Sequence, residues 1–319
     1  MKKVVVSAPG KLHLSGEHAV VYGKPALIAS VSQRLTVTIQ VVSRQSSVVR
    51  NISKIRQGDD YINEVVKLVE NRFNTQIKNI NLEIKSKIPV GAGMGSSAAL
   101  AVSLVGALLA WLNKPWNLSL INELAYEAEK FKHVNSSGSD PTIATFGGLL
   151  WYRKELDFLK SFLVLSFKIP ASFAPFVLVQ TGRAETTGDL VSFVGKLKQQ
   201  KPKAINEAFN EIEQITKGMT QAIHDENETN FRKLIKLNQR LLEKIGVVSE
   251  LTKKFIGDVE NVGGAAKISG AGGRKSGSGI VICSHDRPQI IEKIAQKYGF
   301  PTFQTKLGKP GVKTEQAII

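Results

Sequence analysis

The spacing of apolar positions changes several times along this chain, and each change predicts a different element. Residues 2–9 (KKVVVSAP) and 34–42 (RLTVTIQVV) are rich in β-branched side chains, and the second alternates apolar with polar, so both are expected as strands. Residues 61–73 (YINEVVKLVENRF) put Ile62, Val65, Val66 and Val69 on one face of a helix. Alternation returns at 80–88 (INLEIKSKI) through Ile80, Leu82 and Ile84, and Pro89 ends it. Residues 98–112 are apolar except at Ser103 and Gly106. They fall short of the roughly 20 residues a bilayer crossing needs, so a buried helix is expected. A further helix is expected at 117–133, with Leu118, Ile121, Leu124, Ala125, Ala128 and Phe131 on one side. A glycine- and serine-rich loop then leads into a strand-like GGLLWYR at 147–153.

Two prolines within 169–175 break the pattern and suggest a domain boundary. Beyond it, FVLVQTG (176–182) reads as a strand, and 189–260 as mostly helical, with a long amphipathic segment at 231–245. AAKISGAGG (265–273) and GIVIC (279–283) suggest strand, glycine loop, strand. A helix ending at Gly299 follows, and the last twenty residues suggest a final pair of strands. There is no internal repeat.

Composition narrows the class. At 319 residues the chain is long for one core and comfortable for two, and its 42% hydrophobic and 22% charged residues are those of a globular protein. The lone cysteine, Cys283, excludes an internal disulfide and a cysteine-rich metal site, and suits a reducing cytoplasm. The three valines near the start are too few for the apolar core of a signal peptide, so a cytoplasmic protein without a membrane segment is expected. The net charge of +16 raises nucleic acid as a partner. The excess lies in residues 1–60, with nine Lys/Arg against three acids, and in 261–319, again nine against three. Neither stretch interleaves its cations with stacking aromatics, so a basic surface that helps collect small anionic substrates is expected instead.

One segment carries chemistry on its face. IPVGAGMGSSAAL, at 88–100, places Gly91, Gly93 and Gly95 just before an apolar helix. Alternating glycines allow positive φ and close main-chain approach, so several N–H groups can point into one concavity. Ser96 and Ser97 then fall where a helix has unpartnered N–H groups and a positive dipole end. Phosphate suits such a site, with a hydroxyl placed for an accompanying Mg²⁺. The spacing is neither G-x-x-x-x-G-K-[ST] nor G-x-G-x-x-G. A plain strand-to-helix turn capped by serine is the simpler alternative.

PVGAGMGSSAAL resembles the central motif of the GHMP kinase family, P-x-x-G-L-G-S-S-A-A. Two more segments resemble that family in the right order: SAPGKLHLSGEHAVVYGKPAL (7–27) its N-terminal motif and KISGAGG (267–273) its C-terminal glycine motif. GEHAVVYGKPAL is similar to the mevalonate kinase branch in particular. The resemblance implies that Pro89, Gly91, Ala92, Gly93, Met94, Gly95, Ser96, Ser97 and Ala98, with Gly270 and Gly272, bind ATP. It implies that Lys11 approaches the γ-phosphate and the reacting hydroxyl, and that Glu17, His18 and Thr187 line the pocket for mevalonate.

The expected helix at 117–133 puts Glu129 at the edge of its apolar stripe and Glu123 nearly opposite. Eleven residues past Glu129 comes Asp140, in a Ser-Gly-rich turn before Pro141. Taken alone, Glu129 could be a surface acid and Asp140 a turn residue. The branch pattern E-x-x-x-H-G-x-P-S-G-x-D is matched by Glu129, His133, Ser137, Gly138 and Asp140. That match implies that Glu129 joins Ser97 in holding Mg²⁺, and that Asp140 accepts the proton of the hydroxyl or orients it. The chain departs from the pattern at Val134 and Ser136, at Arg274-Lys275-Ser276 after the C-terminal glycines, and at Glu185 and Gly188 around Thr187, where an arginine is usual.

The implied fold is α+β in two domains, 1–170 carrying the phosphate loop and 171–319 of ferredoxin-like type, with the active site between them. The implied activity is ATP- and Mg²⁺-dependent phosphorylation of the mevalonate 5-hydroxyl for isoprenoid synthesis, and the resemblance allows a homodimer. Two alternatives stand beside it: another kinase of the family acting on phosphomevalonate, the mevalonate 3-hydroxyl, galactose or homoserine, or a nucleotide- or polyanion-binding protein without catalysis.

Overall fold

The computed structural model describes residues 2–41, 60–78, 80–89, 91–132, 137–156, 158–173 and 176–318. His133, Val134 and Ser136 of the sequence pattern lie outside the described residues. The chain begins with two long strands, β1 (Lys3–Ser15) and β2 (Ala26–Val41). Between them a short 3₁₀ turn, Ala19–Tyr22, is followed by Gly23 in the left-handed region. Then come α1 (Asp60–Phe73), β3 (Ile80–Ser86), α2 (Ser96–Trp111), α3 (Leu118–Lys132), α4 (Ser139–Phe146), β4 (Leu149–Lys154) and β5 (Lys160–Val164). Past the proline-interrupted stretch lie β6 (Phe176–Gln180), α5 (Thr187–Gln200), α6 (Pro202–His224), α7 (Glu228–Lys244), α8 (Glu250–Asn261), β7 (Ala265–Ser269), β8 (Ile280–Ser284), α9 (Pro288–Lys297), β9 (Thr302–Thr305) and β10 (Lys313–Ile318). None of these helices is long and apolar enough to cross a membrane.

The strands form two antiparallel sheets. One has the order β10-β1-β2-β4-β5, with β3 also paired to β2; the other has the order β7-β8-β6-β9. In the second, β6, the following helices, β7, β8, α9 and β9 give the β-α-β-β-α-β succession of a ferredoxin-like unit. Alternation along β1 explains how the first sheet divides its faces. Val4, Val6, Ala8, Leu12 and Leu14 are buried in the core, where α2 packs, while Ser7, Lys11, His13 and Ser15 carry polar groups on the other side. The apolar α2 is buried on nearly every side, from Ala98 to Leu109, as its composition requires.

Two expectations are corrected. The last two strands do not pair with each other: β9 joins β6, whereas β10 returns to the first sheet and pairs with β1. The first sheet therefore takes residues from beyond the division expected at 170. The glycine- and serine-rich loop before β4 also contains a helix, α4, which holds Asp140 in its first turn.

The second half of β1 and the turn after it form the seam between the sheets. Ser15 Oγ lies 2.8 Å from Thr216 Oγ1 of α6, and Lys24 bonds Glu213 of the same helix at 2.9 Å. The His13 N–H donates to Ser269 Oγ at 2.9 Å. Lys267 of β7 reaches across to Glu17, and both side chains are only 1% exposed. The Lys267 ammonium also donates to the Ile268 carbonyl at 2.7 Å and, more weakly, to the His13 carbonyl at 3.4 Å, so all three of its N–H groups have acceptors.

Removing one partner of such a pair strands a buried charge. Lys267→Met should therefore destabilise the protein by about 3–5 kcal/mol in urea unfolding. Glu17→Leu combined with Lys267→Met should recover most of that loss, and a double variant as unstable as the single one would contradict this account.

Candidate active site

The central glycine loop is built from alternating anchors and openings. Ala92 and Met94 are 6% and 1% exposed and plug into the core beneath. Gly91, Gly93 and Gly95 between them have φ of 71°, 73° and 72°, which only glycine adopts freely. A Cβ on Gly91 or Gly93 would meet no protein atom within 4 Å, so the space above these residues is open. Gly95 is itself the N-cap of α2 and no side chain caps that end. The serine cap considered above is therefore not formed: Ser96 and Ser97 are the first two helical residues, and the N–H groups at the positive end of the dipole have no side-chain cap.

The predicted amine and acid meet at this loop. Lys11 donates its main-chain N–H to Met94 O at 3.0 Å, and its ammonium lies 3.2 Å from Asp140 Oδ1. A Cβ on Gly95 would lie 2.9 Å from Lys11 Cγ and 3.7 Å from Asp140 Oδ2. Loop, amine and acid thus converge on one point. Asp140 stands in the first turn of α4, where acidic side chains are favoured, behind an N-cap Gly138 with φ 77°. A Cβ at Gly138 would press on the Tyr126 ring at 3.1 Å, which fixes the entry of that helix.

Glu129 is 5% exposed on α3, whereas Glu123 is exposed, as the helical wheel indicated. Tyr61 of α1 links Glu129 to the glycine loop: its hydroxyl donates to Ser97 O at 3.3 Å, and burial, with the Glu129 charge next, pushes its pKa upward. Ser97 and Glu129 are thus gathered around one tyrosine. Among the described residues no group of three His, Cys, Asp or Glu could hold a metal by itself. A hydroxyl and carboxylates beside the open glycine loop are hard oxygen donors, and they fit a Mg²⁺ that would complete its shell with other oxygen ligands.

The GEH segment turns toward the second sheet. Gly16 is demanded by crowding, since a Cβ there would lie 2.4 Å from Ala26 Cα. Glu17 pairs with Lys267, and burial raises its pKa against that partner's opposing pull. His18, with φ 59°, is held in the left-handed region, an uncommon state for a residue with a side chain. Its Nε2 lies 2.9 Å from Ala271 O in the C-terminal glycine loop, and burial lowers its pKa. Of that loop's glycines, Gly270 faces open space, whereas a Cβ on Gly272 would strike Val247 O at 2.2 Å. Packing alone requires glycine at 272.

Thr187 is exposed at the start of α5, where Arg183 Nη1 donates to its hydroxyl at 3.4 Å; no contact ties it to the Lys11–Asp140 pair. Lys267, His13 and Tyr61 escaped the reading of the sequence. Lys267 and His13 each left a signal, a charged or titratable residue inside an otherwise apolar strand (AAKIS, KLHLS); Tyr61 looked like any aromatic on an apolar helix face.

Comparison with known proteins adds the following. The family described as GHMP kinases, N terminal domain, matches residues 60–148. A mevalonate kinase of Archaeoglobus fulgidus is 33% identical over 277 residues, covering 85% of this chain and 89% of that protein. The crystal structure of Methanococcus jannaschii mevalonate kinase superposes with a TM-score of 0.79 at 24% identity, covering 96% of this chain and 98% of that one. L. major mevalonate kinase in complex with R-mevalonate gives 0.77 at 24% identity, covering 95% of each chain.

The two histidines at the seam make stability depend on pH. Burial holds His13 well below its ordinary 6.5, with Lys11 and Lys267 adding to the effect, and lowers His18 as well. Below about pH 6.5 the unfolded chain binds protons that the folded chain refuses, so stability falls as the pH drops. The melting temperature should decline from pH 7 to pH 5, and His13→Gln should flatten part of that decline.

Proposed function

The chain belongs to the GHMP kinase family, and we propose that within it this protein is a mevalonate kinase, transferring the γ-phosphoryl group of ATP to the 5-hydroxyl of mevalonate and releasing 5-phosphomevalonate and ADP. The convergence of Lys11 and Asp140 on the uncapped glycine loop at Gly95 carries this reading. The reaction would serve isoprenoid synthesis, in the reducing cytoplasm that a single buried cysteine suits.

In this reading the N–H groups from Gly91 to Ala98 cradle the phosphates of ATP, and Gly270 contributes from the opposite loop. Ser97 and Glu129 would hold Mg²⁺, which neutralises charge on the β- and γ-phosphates when bound. Asp140 accepts the proton of the acceptor hydroxyl as its oxygen bonds to the γ-phosphorus and the bond to the ADP oxygen breaks. Lys11 stands beside that oxygen and offsets the negative charge that develops there. His18 and Thr187 border the acceptor pocket from different elements, and Glu17 keeps the His18 segment in place through Lys267. Alignment and charge stabilisation supply the rate, with no covalent intermediate.

Purified protein with Mg-ATP should release ADP with mevalonate and not with phosphomevalonate, galactose or homoserine. Preference for one of the latter would reassign the acceptor, and silence with all four would remove the kinase reading. Asp140→Asn should lower kcat by about 10²–10⁴-fold, the range for losing a general base. The KM for ATP should stay close to that of the parent protein.

A further inference from the structure

His13 has no part in the chemistry described so far. It follows Lys11 by two residues on β1, and the register with β2 is unbroken between them, so both side chains leave the same face of the strand. That is the face on which Lys11 meets Asp140. The His13 backbone is fixed from both sides: its N–H donates to Ser269 Oγ at 2.9 Å, and its carbonyl accepts from the same hydroxyl at 3.2 Å. The ring is treated differently. Its Nδ1 is buried with no hydrogen-bond partner, while the residue as a whole keeps partial exposure. The charged and titratable groups acting on it are Lys11, Lys267 and His18; the acids of this cluster are Asp140, which pairs with Lys11, and Glu17, which pairs with Lys267.

An imidazole nitrogen buried without a partner carries a desolvation cost, and the surroundings decide which form it takes. Two ammonium groups nearby disfavour a proton on Nδ1 and favour its lone pair. The proton of the neutral ring then sits on Nε2, leaving a donor at the accessible edge. Both nearby ammonium groups already face carboxylates, Lys11 with Asp140 and Lys267 with Glu17, so recognition of an anion at that edge falls to the imidazole N–H itself. Lys11 and His13 are rooted about 6.6 Å apart along the strand. A five-carbon hydroxy acid has a comparable reach between its terminal hydroxyl and its carboxylate.

We propose that His13 binds the acceptor, donating a hydrogen bond from Nε2 to its carboxylate while Lys11 and Asp140 engage the hydroxyl at the other end. This rests on the mevalonate kinase reading above. Side-chain geometry supplies the test. Glutamine places its amide nitrogen near the position of Nε2, whereas asparagine places it near Nδ1. His13→Gln should keep the KM for mevalonate within about threefold, and His13→Asn and His13→Leu should raise it by about tenfold or more, the loss expected for a hydrogen bond to a charged group. In all three, kcat and the KM for ATP should stay near the parent values. The carboxylate is checked with 3-methylpentane-1,3,5-triol, which keeps the hydroxyls and lacks the acid. With this triol as acceptor, parent and His13→Asn should not differ.

An unchanged KM for mevalonate in both His13→Asn and His13→Leu overturns the proposal, as does an equal rise with mevalonate and the triol. Parent protein that turns over mevalonate while these variants behave like it rejects the role of His13 alone. Parent protein inactive with mevalonate rejects the functional reading and this inference together. Thermal melts of each variant identify any that fail to fold, and the Gln, Asn and Leu series then rests on the remaining members.

Discussion

A lysine and a glutamate buried together hold this molecule in working order. Lys267 belongs to the second sheet and Glu17 to the turn after the first strand of the other, and neither side chain reaches water. Separating them would leave two charges in a low-dielectric interior, which is far costlier than leaving either in solvent. The contact is therefore all or nothing. Because Glu17 is fixed, so are its neighbours: Gly16 wedged against Ala26, and His18 turned into the left-handed region with its ring on Ala271. The ion pair and the short turn that carries it thus tie the first sheet to the C-terminal glycine loop.

The two glycine loops use the same residue for different reasons. In the central loop, Gly91 and Gly93 face open space, and their value lies in positive φ and in main-chain N–H groups left free to point outward. In the C-terminal loop, a Cβ on Gly273 would meet Gly277 O at 2.1 Å, and one on Gly277 would meet Thr181 O at 2.0 Å. These glycines let strands β6, β7 and β8 close on one another. The first loop leaves its main chain open to the outside, and most of the second serves close packing. Only Gly270 among the C-terminal glycines named for binding has open space above it.

The elements that the sequence revealed most clearly are those whose pattern is local. The apolar run of α2, the alternation in β2 and β3 and the stripe of α3 depend on neighbours two to four residues away, and most of these positions are buried, although Phe131, expected on the α3 stripe, is exposed. Strand pairing depends on the rest of the chain. Nothing within residues 313–318 says that they will cross back to β1, and all six are exposed, so they lack the buried alternation that would have named a face. The helix holding Asp140 is eight residues long and begins at the last serine of Ser-Ser-Gly-Ser, a composition that reads as loop. For the candidate site, the motifs singled out Lys11, Ser97, Glu129 and Asp140, which the fold gathers near one glycine loop, while Lys267 and His13 required the fold. A charged residue in a short apolar strand signals burial, but its partner lies 250 residues away, beyond any local pattern.

Two departures from the family pattern turn out to be a single device. Glu185 stands near Thr187 where an arginine is usual, and Arg274-Lys275 stand where further glycines are usual. In the structure the Glu185 carboxylate accepts the main-chain N–H groups of Arg274, at 2.7 Å, and Lys275, at 3.3 Å. The Arg274 guanidinium lies 3.7 Å from the centre of the Phe193 ring on α5, within range of a cation–π contact. Residues with side chains are thereby held in a loop that glycines would otherwise leave to turn freely, and the acid replacing the arginine is the group that holds them. An arginine at 185 could not accept those two N–H bonds, and glycines at 274 and 275 would give Phe193 nothing to face. The cations are exposed to solvent as the sequence suggested, yet one of them is stacked on Phe193 of α5.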